Sequence, residues 1–424
     1  MPPEQTDKPV KAGQRRLLVP DFSRGLMLWG IAVANVTTAW VTFAGGPFSA
    51  SGRVVGDNVW DKLTIFFTSV FMHARGFPMF TTLLGFGVGL IAASLYRRHY
   101  PLGAARGVLA RRYGMLAVFG ALHMVFLFWG DIMLAYGLLG MFMVVFLRAK
   151  TNTILWLALG LYLLAGFITI GIMVLTSTFT GDELAGSKGS GSLDLAAPSS
   201  YLNVLINGLV VLLGSLIGIP LEALVLLPLM MLGFVAAREG WLADPVRHRR
   251  VLLLVAGIGL GVGLVTGVLS GVEALGVFDA PLMGAVSRSF GVLGGPGFIA
   301  LLALVVSGAQ QRVDGGASVP VALRPLLALG RRSMTGYVLQ SLIFLFIFAP
   351  FGLGLFADAG AALLLVVGTA GWLLTLLVAW GLEAAGKSGP LEAVHRRLSY
   401  GKNGLMNPWV PKEYPPVKPL QKEL

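Results

Sequence analysis

Long stretches of this chain carry no charge at all, and no other feature so restricts what it can fold into. Residues 153–178 and 251–272 contain no Asp, Glu, Lys or Arg. A helix of 18 or more apolar residues reaches across a hydrocarbon core of roughly 30 Å. The chain is 12% charged and 56% hydrophobic, against about 25% charged for a soluble domain. That leaves too little polar surface to coat a globule in water. The reading is an all-α polytopic membrane protein. With 57 glycines, helices can approach closely through small residues.

Ten spans are expected, at about 22–43, 77–96, 108–128, 131–147, 153–178, 220–237, 251–272, 290–309, 331–350 and 360–383. The first is too long for a signal-peptide core and lacks a nearby cleavage site, so it reads as retained. An even number of spans puts both termini on one side. With that side cytoplasmic, cytoplasmic segments hold 27 of the 32 Lys and Arg, as the positive-inside bias requires. The net charge of +12 follows from this bias, and the basic segments form no nucleic-acid stripe.

The chain divides into a cytoplasmic segment 1–21, a transmembrane half 22–178, an outer loop 179–200, a second half 201–401 and a cytoplasmic tail 402–424. Within the first half, 54–73 places Val59, Leu63, Phe66, Phe67 and Val70 at helical spacing, with Asp57, Asp61, Thr68 and Ser69 elsewhere on the wheel. This predicts a helix lying in the interface. Residues 203–237 are expected to break near Gly218-Ile219-Pro220, giving a second interfacial segment followed by a span.

An ionisable residue at membrane depth costs several kcal/mol unless paired or solvated, so the few present are the candidates for chemistry. His123 lies near the outer end of the third span, and Asp131 follows the turn Trp129-Gly130. A tight hairpin brings them together, as the base and orienter of a triad. Equally, Asp131 is a natural helix cap, and a backbone carbonyl satisfies a buried imidazole. Arg75 suits an anionic group in a cleft or lipid phosphate reached by snorkelling. Glu222 is a second outer acid, a partner for Arg75, or a helix-start charge. Asn35 and Gln340, both mid-span, either contact a ligand or hydrogen-bond between helices. The chain has no cysteine, and no His/Glu cluster has metal-ligand spacing, so no metal site is expected. The glycine-rich run 85–90 lies inside an apolar span with no preceding strand, which excludes a nucleotide loop.

Several blocks carry a family resemblance. RLLVPDFSRGLMLWGIAVANV, with its D-x-x-R-G opening, ARGFPMFTTLLGFGVGL and RRYGMLAVFGALHMVFLFWGDIMLAYGLLGMF resemble successive segments of YeiB-like membrane proteins. GRRSMTGYVLQSLIFLFIF and GPLEAVHRRLSYG resemble the two ends of that family's C-terminal domain of unknown function 418. Phe80-Thr81 stands where the family has Phe-Ser, and Pro78 intrudes beside it. The family is grouped with multi-span acyltransferases that move an acyl group from cytoplasmic acyl-CoA to an acceptor across the membrane. The resemblance implies His123 as the acyl-handling base, Asp131 as its orienter and Arg75 as an anion anchor. It also implies a bacterial plasma membrane location, acyl-CoA as donor rather than as a tightly held cofactor, and a small-molecule, glycan or lipid acceptor. The lysosomal heparan-glucosaminide acetyltransferase of that group carries its histidine in the first outer loop, where residues 44–72 have none.

Three functions are therefore carried forward. The first is a transmembrane acyltransferase. The second is a transporter of a small amphipathic or anionic compound, favoured by a helix broken at Pro220 and a midplane site at Asn35 and Gln340. The third is a non-catalytic scaffold. Membrane lipids are expected partners in each, and a homo-oligomer is compatible with all.

Overall fold

Proline positions decide where several helices start, and glycines decide how closely they pack. The computed structural model describes residues 16–41, 51–73, 75–179, 198–277, 286–287 and 289–410. Among these the chain is helical, with no strand. Helix α1 (Leu18–Asn35) continues into a π-helical segment, Val36–Trp40. It is followed by α2 (Val59–Phe71), α3 (Gly76–Arg97), α4 (Leu102–Phe126) and α5 (Met133–Phe142), which ends in a 3-10 turn, Met143–Arg148. Then come α6 (Thr151–Phe179), α7 (Tyr201–Arg238), α8 (Arg249–Ala274) and α9 (Gly294–Asp314). The last are α10 (Arg324–Arg331), α11 (Ser333–Phe348), α12 (Ala361–Ala384) and α13 (Pro390–Tyr400). Pro78 falls in the first turn of α3, where its missing N–H leaves no bond unmade.

A helix lies over each of the ten apolar stretches. Among the described residues, seven helical runs are long and apolar enough to cross a membrane: Val59–Arg97, Leu102–Phe126, Thr151–Ile172, Tyr201–Arg238, Arg249–Ala274, Gly291–Asp314 and Ala361–Ala384. Met133–Arg148 and Ser333–Phe348 are shorter apolar helices. Large apolar side chains face outward, Ile217 being 83% and Phe167 76% exposed. Meanwhile Asp61, Thr64, Thr68, His123, Asp131 and Gln340 are buried. A protein with an apolar exterior and a partly polar interior is solvated by lipid.

The centre of the molecule is the packing of α3 on α7 and of α4 on α5. Gly85 and Gly233 let the first pair touch backbone to backbone. A Cβ at Gly85 would stand 1.8 Å from the Met230 carbonyl oxygen, and one at Gly233 1.8 Å from that of Thr82. Without the hydrophobic effect to drive association in lipid, such close van der Waals contact is what holds helices together. Around this centre, α1 packs on α10, α12 and α3, while α8 packs on α9 and α2.

Two expectations are corrected. Residues 201–238 form one uninterrupted helix through Pro220 and Pro228, about 57 Å long at 1.5 Å per residue, with no second interfacial segment. A proline in a membrane helix is tolerated where neighbouring helices and local backbone adjustment compensate for the freed carbonyl. Helix α2 does form, but its apolar face is narrower than the spacing predicted. Val59, Trp60, Leu63, Phe67 and Phe71 are exposed, whereas Val70 is buried and Phe66 half-buried against α8. Its polar face turns inward: Asp61 Oδ1 accepts from the Ala362 amide at the start of α12 and Oδ2 from the Val55 amide. The outer loop at 181–192, and the termini before Arg16 and after Val410, lie outside the described residues.

Candidate functional site

The site is built on the α4–α5 hairpin. Gly120 and Gly137 bring the two helices into backbone contact, since a Cβ on either would stand 2.1 Å from the Leu134 nitrogen or 2.3 Å from the Ala117 nitrogen. His123 lies in the last turn of α4, and its carbonyl accepts from the Leu127 and Phe128 amides, closing the helix into the turn. Asp131 sits at the far side of that turn. Its two oxygens divide the readings left open by the sequence: Oδ1 accepts from the Leu134 amide at 2.8 Å as a helix cap, and Oδ2 meets His123 Nδ1 at 2.7 Å.

The other imidazole nitrogen has a partner the sequence did not suggest. His123 Nε2 lies 2.9 Å from Ser341 Oγ, on α11. A carboxylate only accepts, so Nδ1 carries the proton and Nε2 is the acceptor for the serine hydroxyl. All three side chains are buried. Ser341 Oγ also reaches the Tyr337 carbonyl at 3.4 Å, one turn back along α11. Asp, His and Ser thus stand in the order of a hydrolase or acyl-transfer triad.

Aromatic rings frame the imidazole. The Tyr337 ring lies 5.0 Å from it, centroid to centroid, and Phe128 meets it edge-on at 6.1 Å. Phe128 in turn stacks on Trp40 at 4.9 Å. Trp40 comes from the π-helical end of α1, an irregularity often found at functional sites. A cavity of about 20 Å³, large enough for a water, lies between Trp40, Phe128, Trp129, Asn207 and Leu345.

The remaining candidates do not converge on this point. Arg75 is buried, with Nη1 donating to the Gly291 carbonyl at 2.9 Å and Nη2 to that of Gly263 at 2.6 Å and to Thr266 Oγ1 at 3.3 Å. It therefore ties the start of α3 to α8 and α9 and does not reach out to lipid. Glu222 is exposed on α7 and makes no hydrogen bond or ion pair among the described residues, so it is no partner for Arg75. Asn35 is half-buried at the end of α1. Gln340 is buried and donates to the Leu28 carbonyl at 3.3 Å, the interhelical alternative of the two readings, which fixes α11 against α1 beside Ser341. Among the described residues, no three His, Asp or Glu side chains gather as metal ligands.

Ser341 and Tyr337 are the residues that sequence reasoning missed. Both lie in GRRSMTGYVLQSLIFLFIF, where only the amide of Gln340 stood out against the apolar run.

Two similarities bear on these blocks. Over 396 residues the chain is 26% identical to "Uncharacterized protein YxaH" of Bacillus subtilis (strain 168), an alignment covering 86% of this chain and 87% of that protein. Residues 236–402, which hold Tyr337, Gln340 and Ser341 but neither His123 nor Asp131, match the family described as "Protein of unknown function (DUF418)". The serine side of the site therefore lies in the stretch that matches DUF418, and the resemblance to YxaH extends through both halves of the chain.

Proposed function

We propose that this protein is a transmembrane acyltransferase of about ten spans with cytoplasmic termini, working through Asp131, His123 and Ser341. The observation that carries the reading is a buried imidazole hydrogen-bonded at both nitrogens, to a carboxylate at 2.7 Å and to a serine hydroxyl at 2.9 Å. The resemblance to YeiB-like proteins and their acyltransferase superfamily supports it as a fold-level analogy.

In this reading Ser341 Oγ attacks the carbonyl carbon of an acyl thioester such as acyl-CoA, while His123 Nε2 takes the hydroxyl proton. The C–S bond breaks, and the thiolate leaves with the proton returned by His123. An acceptor hydroxyl then gives its proton to His123 and attacks the acyl-serine ester, restoring Ser341. Asp131 holds the imidazole tautomer and stabilises the imidazolium that forms twice per cycle. Gln340 sets the position of α11, and Arg75 braces α3.

The transporter alternative loses much of its motivation. It drew on a helix broken at Pro220, and α7 is continuous. It also drew on a midplane site at Gln340, whose amide is bonded to α1.

The deciding experiment uses purified protein in liposomes, labelled acyl-CoA and an envelope extract as acceptor source. Label should enter an acceptor with the wild type. General-base help contributes about 10²–10⁴-fold, so His123→Ala should slow transfer by that much while inserting normally. Unchanged transfer in the variant, or movement of an unmodified compound without acyl-CoA, would sink the proposal.

A further inference from the structure

Among the described residues, Tyr337 carries one of the few deeply buried side-chain polar atoms that lack a partner. The residue is 5% exposed, and its hydroxyl makes no hydrogen bond of ordinary geometry. Its oxygen lies toward the Ile132 amide, and the Asp131 carboxylate is within electrostatic reach. That carboxylate is already engaged, one oxygen by His123 and the other by the Leu134 amide. The hydroxyl proton of Tyr337 is thus left without an acceptor. A buried donor in that state costs on the order of 1–3 kcal/mol, so its position calls for an explanation.

Three placements supply one. Tyr337 stands four residues before Ser341, on the same face of α11. Its ring lies against the His123 imidazole at 5.0 Å. The Ile132 amide toward which its oxygen points belongs to the same turn that holds Asp131. The unused donor therefore belongs to the ring that packs on the base, one helical turn before the nucleophile, among buried side chains. Negative charge develops on the acyl oxygen when Ser341 attacks. A fixed donor at that point, in a low-dielectric site, is worth far more than the same donor in water.

We infer that the Tyr337 hydroxyl is the oxyanion-stabilising donor of the site, hydrogen-bonding the acyl oxygen of the substrate as Ser341 Oγ adds to its carbonyl carbon. The donor keeps its proton throughout. The proton that moves is that of Ser341, which goes to His123. This role rests on the acyl-transfer reading.

A fluorophosphonate probe separates the two claims, because it needs the same nucleophile and the same oxygen stabilisation without a known acceptor. In the labelling reaction, Ser341 Oγ bonds to phosphorus and the P–F bond breaks. Fluoride leaves, the serine proton passes to His123, and the phosphoryl oxygen takes the place of the acyl oxygen. Purified full-length protein in nanodiscs is incubated with the probe, and the labelled residue is identified by peptide mass spectrometry. Wild type should label at Ser341, and Ser341→Ala should not label. Tyr337→Phe keeps the ring that packs on His123 and removes only the donor. It should slow labelling on the order of 10²-fold, with a melting temperature no lower than that of the wild type and an unchanged midpoint in the pH dependence of the labelling rate.

Labelling of Tyr337→Phe at the wild-type rate would overturn the role of Tyr337 and leave the triad standing. A slower rate accompanied by a shifted pH midpoint would also overturn it, because the tyrosine would then be acting by positioning the His123–Asp131 pair. A wild type that does not label at Ser341 would overturn the nucleophile and, with it, the oxyanion donor.

Discussion

At the scale of single residues, the turn between α4 and α5 matters because it joins His123 and Asp131, whose two ring nitrogens and two carboxylate oxygens are all hydrogen-bonded. His123 cannot rotate without breaking a bond to Asp131 or to Ser341, so the imidazole is oriented before any substrate arrives. Gly120 is what allows this. A methyl group there would stand 2.1 Å from the Leu134 nitrogen and 2.6 Å from Asp131 Oδ1. Gly120→Ala should therefore lower stability by about 1–3 kcal/mol, as overpacking does, seen as a lower melting temperature. It should also depress transfer more than the stability loss explains. The His123–Asp131 pairing was legible in the sequence because eight residues and a Trp-Gly turn separate the two. Ser341 was not, because it lies 218 positions beyond His123 and a serine in an apolar helix looks like any small packing residue. Glu222 stood out in the sequence for the same reason as Asp131, yet it projects from the exposed side of α7. Charge marks a residue as unusual and says nothing of where it points.

At the scale of elements, two helices outside the site are each held in part by a buried side chain. Asp61 fastens α2 to the first turn of α12 by accepting from Ala362. Asp61→Ala would remove the carboxylate that accepts from two amides in partly buried hydrogen bonds and should cost about 1–3 kcal/mol. Limited proteolysis should then cut within 51–71 faster than in the wild type. Helix α13 docks on α4, with His395 Nε2 donating to the Arg112 carbonyl at 2.9 Å and its ring edge-on to Phe119. Burial, and secondarily the nearby Arg112 charge, push the His395 pKa from 6.5 down to about 4. The docked helix therefore holds its histidine neutral, while the released helix binds a proton below about 6.5. Between those values the released state takes up more protons, so docking weakens as pH falls from 6.5 toward 4 and is unaffected above. Protection from hydrogen exchange across 390–400, taken relative to the intrinsic rate at each pH, should fall over that window in wild type, and the fall should be absent in His395→Gln. That 59–71 is a helix was legible from its period. Its inward polar face was not, because the partner it caps lies 300 residues later in the chain. Helix α7 taught the opposite lesson. Proline reads as a break by its effect in water, and inside a bundle that effect is absorbed.

At the scale of the whole molecule, the charge-free stretches mark a membrane protein, and a helix lies over each of the ten apolar stretches, although α7 begins well before the expected 220–237. The count of crossings can be tested directly because the chain has no cysteine, so one introduced thiol reports without background. With ten spans, Ser199→Cys and Lys402→Cys lie on opposite sides of the membrane. In sealed, right-side-out vesicles an impermeant maleimide should label the first and not the second, and equal labelling would refute that topology. The assembly of the site has a further consequence. In the acyl-transfer reading, base and orienter come from the first half of the chain, and the serine comes from the region that matches DUF418. Until the two halves dock, the protein holds an imidazole with nothing to deprotonate and an alcohol with nothing to activate it. Reactivity is thereby withheld from every partly inserted or misassembled copy, so completion of the fold and onset of chemistry become one event.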